Sequence, residues 1–457
     1  MTEARKTIPI LLLGVLIAAL DIAILGPALR AIGASFGLDE RGVAWVFIVF
    51  SLFNQLGNPL MSGLSDTYGR RLAFTWCIAL FCAGTLVVVF SPDFPTMLIG
   101  RALQGSGVSG IVPITGAVIG DLFPAERRGR MLGVVGAVFG LAFIIGPIVS
   151  GIMLKWLAWR WLFVITLPMA LYVGIAGVRR LPNERRASAG RLDWPGVVAL
   201  GLAMASLTYA INQIDAEHTL RSLGSAHVGP FLLAAIVLMA LFVQIERRGA
   251  HPFLRLQLFR SRQVVIACLV AVGSGATEAV FVFLPSFAVV LYGVADRTAS
   301  FMLLPLVGAL AIGSPLGGRL IDRIGSRTIV LAGTALTALG LAVMGWAQGD
   351  RLVFYAGEVL IGFGLAALLG SALSYILLNE AMATERTVAQ GMVRLFKAAG
   401  RLTGGALIGA VAASSGGGAE GYTQSFAVIA FWMGAMHLLA YGLQRVGDER
   451  ALFERMN

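Results

Sequence analysis

Seven ionisable residues stand inside long apolar stretches of this 457-residue chain. They are Asp21, Arg101, Glu278, Glu358, Arg394, Lys397 and Arg401. An ionisable side chain at the depth of a lipid bilayer is costly and commonly marks a proton relay or an ion pathway. The chemistry we expect from these residues is therefore reversible proton binding or the binding of a charged molecule.

Asp21 and Arg101 lie at similar heights in the predicted membrane. At 1.5 Å per residue, Asp21 lies about 20 Å from the cytoplasmic end of its stretch, and Arg101 about 8 Å from the outer end of its own. In a hydrocarbon core about 30 Å thick, both occupy the outer half. A pair between them is either purely structural or a site where Asp21 changes protonation while Arg101 tunes its proton affinity.

Two predicted cytoplasmic loops share the frame Leu-x-Asp-x-x-Gly-x-Arg at a spacing of 256 residues. The first loop contributes Asp66, Gly69, Arg70 and Arg71, and the second contributes Asp322, Gly325 and Arg327. Glycine permits a sharp reversal between helices, the aspartate favours a helix N-terminus, and the basic residues hold the loop in the cytoplasm. The repeat indicates two parallel halves of six spans each, a known transporter plan.

The same spacing relates the buried charges of the two halves. A shift of 256 residues from Asp21 ends one residue before Glu278, and the same shift from Arg101 ends one residue before Glu358. The second half therefore holds two carboxylates, which raise each other's proton affinity and attract cations. Glu278 is neutral by protonation, paired with a cation from stretch 388–413, or matched by a bound cationic substrate. Glu358 is a second binding group or is simply hydrated, so we expect cationic substrates to depend more on Glu278.

The composition defines the elements that must position these residues. Apolar residues make up 58% of the chain and charged residues 13%, against about 25% charged in soluble domains. Stretches long enough to cross a bilayer are 8–29, 43–62, 72–90, 96–119, 131–153, 160–178, 194–213, 229–245, 264–291, 299–317, 328–347, 352–378, 388–413 and 424–443. We predict an all-α membrane protein of fourteen spans, which excludes soluble, disordered and fibrous classes.

The net charge of +11 does not indicate a nucleic-acid partner. With the N-terminus in the cytoplasm, most Lys and Arg fall in cytoplasmic loops, which is the positive-inside bias of membrane proteins. A nucleic-acid site needs basic residues gathered on one domain.

The sequence does not predict an enzyme, because metal-ligand spacings, a phosphate-binding loop and a nucleophile elbow are absent. We expect no cofactor and no metal, so the energy source is an ion gradient. Cys77, Cys82 and Cys268 fall inside apolar stretches, where no structural disulfide is expected.

Two further motifs accompany the paired loops. One is Arg101-Ala-Leu-Gln-Gly-Ser-Gly107 in the fourth span, and the other runs from Gly140 to Gly151 around Gly146-Pro147 in the fifth. With these motifs the chain resembles the major facilitator superfamily over nearly its whole length, and within it the fourteen-span drug:proton antiporters. The resemblance implies six-helix bundles at 1–180 and 261–457, with two inserted transmembrane helices within 181–260.

The resemblance also assigns roles to residues. It places the first and fourth spans side by side, which makes an Asp21–Arg101 pair the expected proton-coupling element together with Glu278. It brings stretch 388–413 against the loop after the second span, so that Asp66 meets Arg394 or Lys397 and closes the cytoplasmic side. Gly146 and Pro147 either only permit close helix packing and a kink or, as the resemblance implies, control which side opens.

The predicted function is proton-coupled export of hydrophobic or cationic small molecules by alternating access. The alternatives are transport of a lipid or lipid-linked molecule, proton-coupled import, and a membrane scaffold without transport. The expected partners are a small-molecule substrate, protons and the lipid bilayer, and we expect a monomer with no nucleic-acid partner. The expected location is the inner (plasma) membrane, with both termini cytoplasmic.

Overall fold

The structure is a computed structural model that describes residues 2–123, 125–181, 194–249, 254, 256–345, 350–370, 372–380 and 386–444. These residues are almost entirely helical and include no strand. The helices are α1 (Thr2–Ala23), α2 (Leu25–Phe36), α3 (Glu40–Tyr68), α4 (Arg70–Val89), α5 (Phe94–Ser109), α6 (Ile111–Leu122), α7 (Ala125–Met153), α8 (Arg160–Val164), α9 (Thr166–Arg180), α10 (Trp194–Asn212), α11 (Thr219–Leu223), α12 (Gly229–Arg248), α13 (Arg262–Tyr292), α14 (Asp296–Met302), α15 (Leu304–Gly345), α16 (Arg351–Leu369), α17 (Ala372–Glu380), α18 (Arg386–Ser414) and α19 (Ala419–Ala440). A short 3₁₀ helix covers Leu256–Arg260.

Among the described residues, twelve helical segments are long and apolar enough to cross a membrane. The helices Thr7–Ala23 and Leu25–Phe36, bent by 49° to each other, bring the count to thirteen when they are taken together as one span. Helices suit this environment because they satisfy every backbone hydrogen bond internally. The outward side chains agree: Leu233, Ile236 and Val237 of α12 are all more than half exposed.

The predicted count of fourteen spans is not confirmed by helix length and composition. The remaining predicted stretch, 388–413, does form helix α18. That helix carries Arg394, Lys397 and Arg401 and falls outside the apolar set.

The described structure divides into two compact units. The N-terminal unit comprises residues 1–201 and 295–301, and the C-terminal unit comprises residues 202–294 and 302–457. Helix α12 and the C-terminal half of α10 belong to the C-terminal unit, where Tyr209 packs on Phe231 with ring centroids 4.4 Å apart. The loop between them is fixed to the end of α18, since the Ala216 amide donates a hydrogen bond to the Ser414 hydroxyl at 3.0 Å.

Each unit repeats the same packing plan. In the N-terminal unit α1 packs on α7 and α9, and α5 packs on α3 and α4. In the C-terminal unit α13 packs on α18 and α19. Helix α16 packs on α15, both before and after its non-helical residue Gly325. The predicted internal repeat is thus visible in the contacts of the helices.

Glycines bring the repeated helices into backbone contact. They are Gly100, Gly105 and Gly107 on α5, and Gly357, Gly362 and Gly364 on α16. A Cβ added to Gly105 would overlap the carbonyl oxygen of Phe50 on α3. A Cβ added to Gly362 would overlap the carbonyl oxygen of Leu306, which stands 256 residues after Phe50. Because the spacing is 257 residues on α16, Glu358 follows Gly357 as Arg101 follows Gly100.

Helix α1 bends away from α2 at a position that the sequence explains. Pro27 lacks a backbone N–H, so the carbonyl of Ala23 loses its usual partner four residues later, and the proline ring clashes with that carbonyl. Proline is among the few causes of sharp helix kinks. Helix α13, which holds the place of α1 in the packing of the C-terminal unit, runs unbroken over 31 residues.

Candidate functional site

The buried centre of the N-terminal unit is a hydrogen-bonded network around Asp21 and Arg101. The Nη1 atom of Arg101 donates to Asp21 Oδ2 at 2.8 Å and to Gln104 Oε1 at 2.8 Å. Both charged side chains are 0% exposed. The structure therefore brings together the two residues that their predicted depths had placed at one height.

Two residues that the sequence reasoning missed complete this network. Gln104 Nε2 donates to Asp21 Oδ1 at 3.3 Å and to Thr85 Oγ1 at 3.0 Å. Gln104 lies three residues after Arg101, on the same face of α5, so its position in the fourth-span motif was an available signal. Thr85 carried no such signal, because its place depends on how α4 packs against α5. We call Asp21, Thr85, Arg101 and Gln104 the N-terminal network.

The remaining contacts of Arg101 are few for a buried guanidinium. Its Nε donates to the carbonyl of Val46 at 3.2 Å, and its Cζ lies 4.3 Å from the ring centroid of Phe50. Its Nη2 atom has no hydrogen-bond partner among the described residues. A buried charge is stable only when it is paired. Arg101 therefore depends on the carboxylate of Asp21 to compensate its positive charge.

The N-terminal network lies beside the bend in the first span. Asp21 precedes Ala23, the last residue of α1, by two positions. A Cβ added to Gly146 of α7 would overlap the Cβ of Ala23, and Pro147 follows inside α7. The fifth-span motif thus packs directly on the bend, one half-turn from the buried carboxylate.

In the C-terminal unit the predicted residue Glu278 has a counterion. Arg401 Nη1 donates to Glu278 Oε2 at 3.1 Å and to Oε1 at 3.3 Å, and both side chains are 26% exposed. Of the three states expected for Glu278, the structure shows pairing with a cation of the stretch 388–413. Lys397 Nζ donates to the carbonyl of Leu369 at 3.4 Å, and Arg394 is exposed.

For Glu358 the sequence left two interpretations, a second binding group or a hydrated carboxyl group, and the structure excludes hydration in this conformation. Its side chain is 0% exposed. Neither carboxyl oxygen has a hydrogen-bond partner among the described residues. Glu358, and not Glu278, is therefore the carboxyl group that the described part of the C-terminal unit leaves uncompensated.

The two motif loops have the geometry that their glycines predict. Gly69 has φ 98° and ψ 151°, and Gly325 has φ 80° and ψ 163°. This region of backbone conformation is essentially restricted to glycine. The side chains of Asp66 and Asp322 lie outside the described residues, so the pairing predicted for Asp66 stays a prediction.

The basic residues of these loops tie helix ends together within each unit. Arg70 forms an ion pair with Asp121. Arg71 Nε donates to the carbonyl of Leu181, which caps α9, at 2.7 Å. Arg327 Nη2 donates to the carbonyl of Tyr441, which caps α19, at 3.0 Å. Arg71 and Arg327, 256 residues apart, thus stabilise the C-terminal ends of the equivalent helices α9 and α19 within their own units.

Groups of three or more potential metal ligands do not occur among the described residues. The helices, their apolar surfaces and the buried charges define a membrane protein that spans the bilayer many times. The profile of the Major Facilitator Superfamily matches residues 11–313 and 298–454. The chain therefore belongs to this superfamily, and it is a membrane transporter of small molecules rather than an enzyme.

Similar proteins include named relatives in two bacteria. The chain is 32% identical over 409 residues to the uncharacterized MFS-type transporter YfiU of Bacillus subtilis, which covers 88% of this chain and 79% of that protein. It is 29% identical over 358 residues to multidrug resistance protein 3 of the same species, covering 78% and 69%. It is also 29% identical over 411 residues to multidrug resistance protein Stp of Mycobacterium tuberculosis, covering 88% and 74%.

Solved structures share the fold. A variant of the nucleoside transporter NupG aligns with a TM-score of 0.70 at 11% identity, over 96% of this chain and 99% of that one. A D-xylose–proton symporter aligns with a TM-score of 0.67 at 15% identity, over 94% and 97%.

Proposed function

We propose that this protein is a proton-coupled exporter of hydrophobic or cationic small molecules that works by alternating access. The proposal includes fourteen spans, with six-helix bundles at 1–180 and 261–457 and inserted helices within 181–260. It places a monomer in the plasma membrane with both termini cytoplasmic. The relatives named multidrug resistance proteins support export, and the energy source is the proton gradient without a cofactor.

The N-terminal network is the observation that carries proton coupling. Removing one partner from a buried ion pair costs about 3–5 kcal/mol, because the other charge stays buried without compensation. Protonation of Asp21 has this effect on Arg101, whose guanidinium is 0% exposed. The protonated state therefore favours a conformation in which water reaches Arg101, and proton binding shifts the population between two states.

The bend beside Asp21 supports a route from protonation to movement. Ala23 ends α1 and contacts Gly146, so a shift of Asp21 acts directly on the packing of α1 against α7. In this proposal Gly146 and Pro147 set which side opens. The loop residues Asp66, Gly69, Arg70, Arg71, Asp322, Gly325 and Arg327, with Lys397, close the cytoplasmic side.

In this proposal the two carboxyl groups of the C-terminal unit, Glu278 and Glu358, have different roles. Glu278 contributes to proton coupling and to substrate binding through its pair with Arg401, which exchanges partners when a cation arrives. Glu358 is the stronger candidate for cation binding, because its carboxyl group has no partner among the described residues.

The test of proton coupling is transport of ethidium into everted membrane vesicles driven by an imposed pH gradient. Asp21→Asn is expected to abolish gradient-driven accumulation, since Asn cannot take up a proton, while downhill flux persists. Asp93→Asn is the matched control. Asp93 caps α5 outside the spans, where hydrogen bonds from Thr96 lower its pKa, and this variant keeps full activity.

A double variant separates coupling from structure. Asp21→Asn combined with Arg101→Gln removes both buried charges, so the network regains polar neutral partners and the protein regains thermal stability. Transport is still expected to be independent of the gradient. Gradient-driven ethidium accumulation by either variant at the wild-type rate would show that the proton is carried elsewhere.

A further inference from the structure

Glu358 occupies the place in the C-terminal unit that Arg101 occupies in the N-terminal unit. The glycine before each residue packs on the same backbone position: Gly100 contacts the carbonyl of Gly84, and Gly357 contacts the carbonyl of Gly340. Gly84 and Gly340 are 256 residues apart. The two side chains therefore leave equivalent turns of equivalent helices.

The surroundings of that place differ between the two units. The N-terminal network residues Thr85 and Gln104 correspond to Leu341 and Ile361, at the spacings of 256 and 257 residues shared by their helices. Both Leu341 and Ile361 are buried. The polar groups that hold Arg101 thus have apolar counterparts beside Glu358.

A carboxyl group in such surroundings has two stable forms. It is neutral with a bound proton, since burial of an unpaired charge is very costly, or it is charged beside a cation that enters the site. The cations of α18 do not pair with Glu358: Arg401 pairs with Glu278, Lys397 donates to a backbone carbonyl, and the side chain of Arg394 is exposed. The charged form of Glu358 therefore needs a cation that enters from outside the protein.

A group of packed aromatic side chains begins one helical turn before Glu358 on α16. Phe354 precedes Glu358 by one helical turn on the same buried face of α16. Its ring centroid lies 6.1 Å from that of Phe287 and 5.6 Å from that of Tyr292. Phe287 in turn contacts Phe426 at 5.2 Å. We call these four residues the aromatic cluster, and aromatic faces attract organic cations.

We propose that Glu358 and the aromatic cluster form a binding site for a lipophilic organic monocation that replaces the proton on the carboxyl group. The step is an exchange: the protonated carboxyl group releases its proton to water, and the resulting carboxylate pairs with the cation. The site is closed in this structure, so the ligand reaches it in another state of the transport cycle. This inference rests on the proposed export function and names its substrate class.

The titratable groups around the site do not supply the exchanged proton. On the helices packed against α16, the described ones are Arg262, Cys268, Glu278 and Tyr292 of α13, Arg319, Arg323 and Arg327 of α15, and Tyr375 and Glu380 of α17; α16 itself adds Arg351 and Tyr355. Of these, Tyr292 is within electrostatic reach of Glu358. Its hydroxyl donates to the carbonyl of Asp350 at 3.1 Å, and tyrosine stays protonated at neutral pH.

The experiment is calorimetric titration of the purified full-length protein with tetraphenylphosphonium in two buffers of different ionisation enthalpy. The difference between buffers counts the protons released on binding. Wild type is expected to release a proton, and Glu358→Gln to lose that release. Glu358→Gln also weakens binding about a hundredfold, the effect of removing one partner of a buried ion pair. The neutral probe triphenylphosphine oxide binds both proteins alike.

Two more variants make the result decisive. Glu358→Asp retains proton release, which shows that the site tolerates substitution, and Asp93→Asn behaves as wild type. Proton release that survives in Glu358→Gln, or that disappears in Glu278→Gln instead, overturns the inference, as does a wild type that binds neither tetraphenylphosphonium nor ethidium.

Failure of this inference is distinguishable from failure of the proposed function. The calorimetric experiment uses no gradient and no membrane, so it reports the site alone. Asp21→Asn is expected to lose gradient-driven export while cation binding still releases a proton. If export proves independent of the proton gradient while wild type shows this exchange, the site stands and the coupling proposal does not.

Discussion

In the N-terminal unit the guanidinium of Arg101 meets a carboxylate and an amide at 2.8 Å. On the equivalent turn of the C-terminal unit, the carboxyl group of Glu358 has no polar partner among the described residues. The backbone around the two positions is nevertheless the same, with glycines contacting carbonyl groups 256 residues apart. The comparison teaches that the backbone packing of the repeat does not depend on the charges of Arg101 and Glu358. Since the fold does not require these charges, we infer that they serve the function of the protein.

The largest expected effect comes from neutralising the two equivalent positions. Arg101→Gln leaves Asp21 buried without its counterion and is expected to lower the free energy of unfolding by about 3–5 kcal/mol. Glu358→Gln replaces a neutral acid by a neutral amide of the same shape, so its stability stays within about 1 kcal/mol of wild type. Thermal unfolding of both variants in detergent measures the difference, and equal losses would contradict the comparison.

A smaller loss of stability, equal in the two units, is expected where their backbone packing is the same. Gly105→Ala and Gly362→Ala each press a Cβ against a backbone carbonyl, and overpacking of this kind costs about 1–3 kcal/mol. Gly120 and Gly308 have nothing within 4 Å of an added Cβ and serve as matched helical controls. Their replacement by Ala is expected to be neutral or slightly stabilising. Thermal unfolding again provides the measurement, and tolerance of Ala at Gly105 or Gly362 would break the proposed equivalence.

The smallest effect concerns the C-terminal caps of α9 and α19. Arg71→Gln and Arg327→Gln each remove one hydrogen bond to a helix C-terminus, worth about 1 kcal/mol. The expected result is faster hydrogen exchange confined to the ends of α9 and α19, respectively. Arg319→Gln changes an exposed residue of α15 and should leave both ends unchanged. Exchange that rises throughout a unit would mean that these residues do more than cap a helix.

Much of the fold follows from sequence because it depends on local patterns. Apolar length predicted the twelve to thirteen candidate spans of the described residues, but its count of fourteen is not confirmed. One repeated loop frame predicted the spacing that the glycine contacts display. The predicted heights of Asp21 and Arg101 sufficed to bring that pair together. The bend after Ala23 was also accessible, since Pro27 removes the donor for its carbonyl.

The rest depends on contacts between distant segments. No sequence pattern shows that Arg401 faces Glu278, because the two are 123 residues apart and their helix rotations decide the pairing. Burial of Glu358 did not follow from the sequence for the same reason, since a second binding group and a hydrated group were both compatible with its position. Thr85 joined the N-terminal network only through the packing of α4 on α5. Charge partners are therefore the least predictable part of this site.

The bend at Ala23 also has a mechanical consequence. Helix α2 contains 12 residues, which makes it about 18 Å long at 1.5 Å per residue. A change of about 10° at the bend moves its far end by about 3 Å, roughly the width of a water molecule. Asp21 lies two residues before the end of α1, so in the proposed mechanism a small displacement at its carboxyl group becomes a larger displacement at the far end of α2.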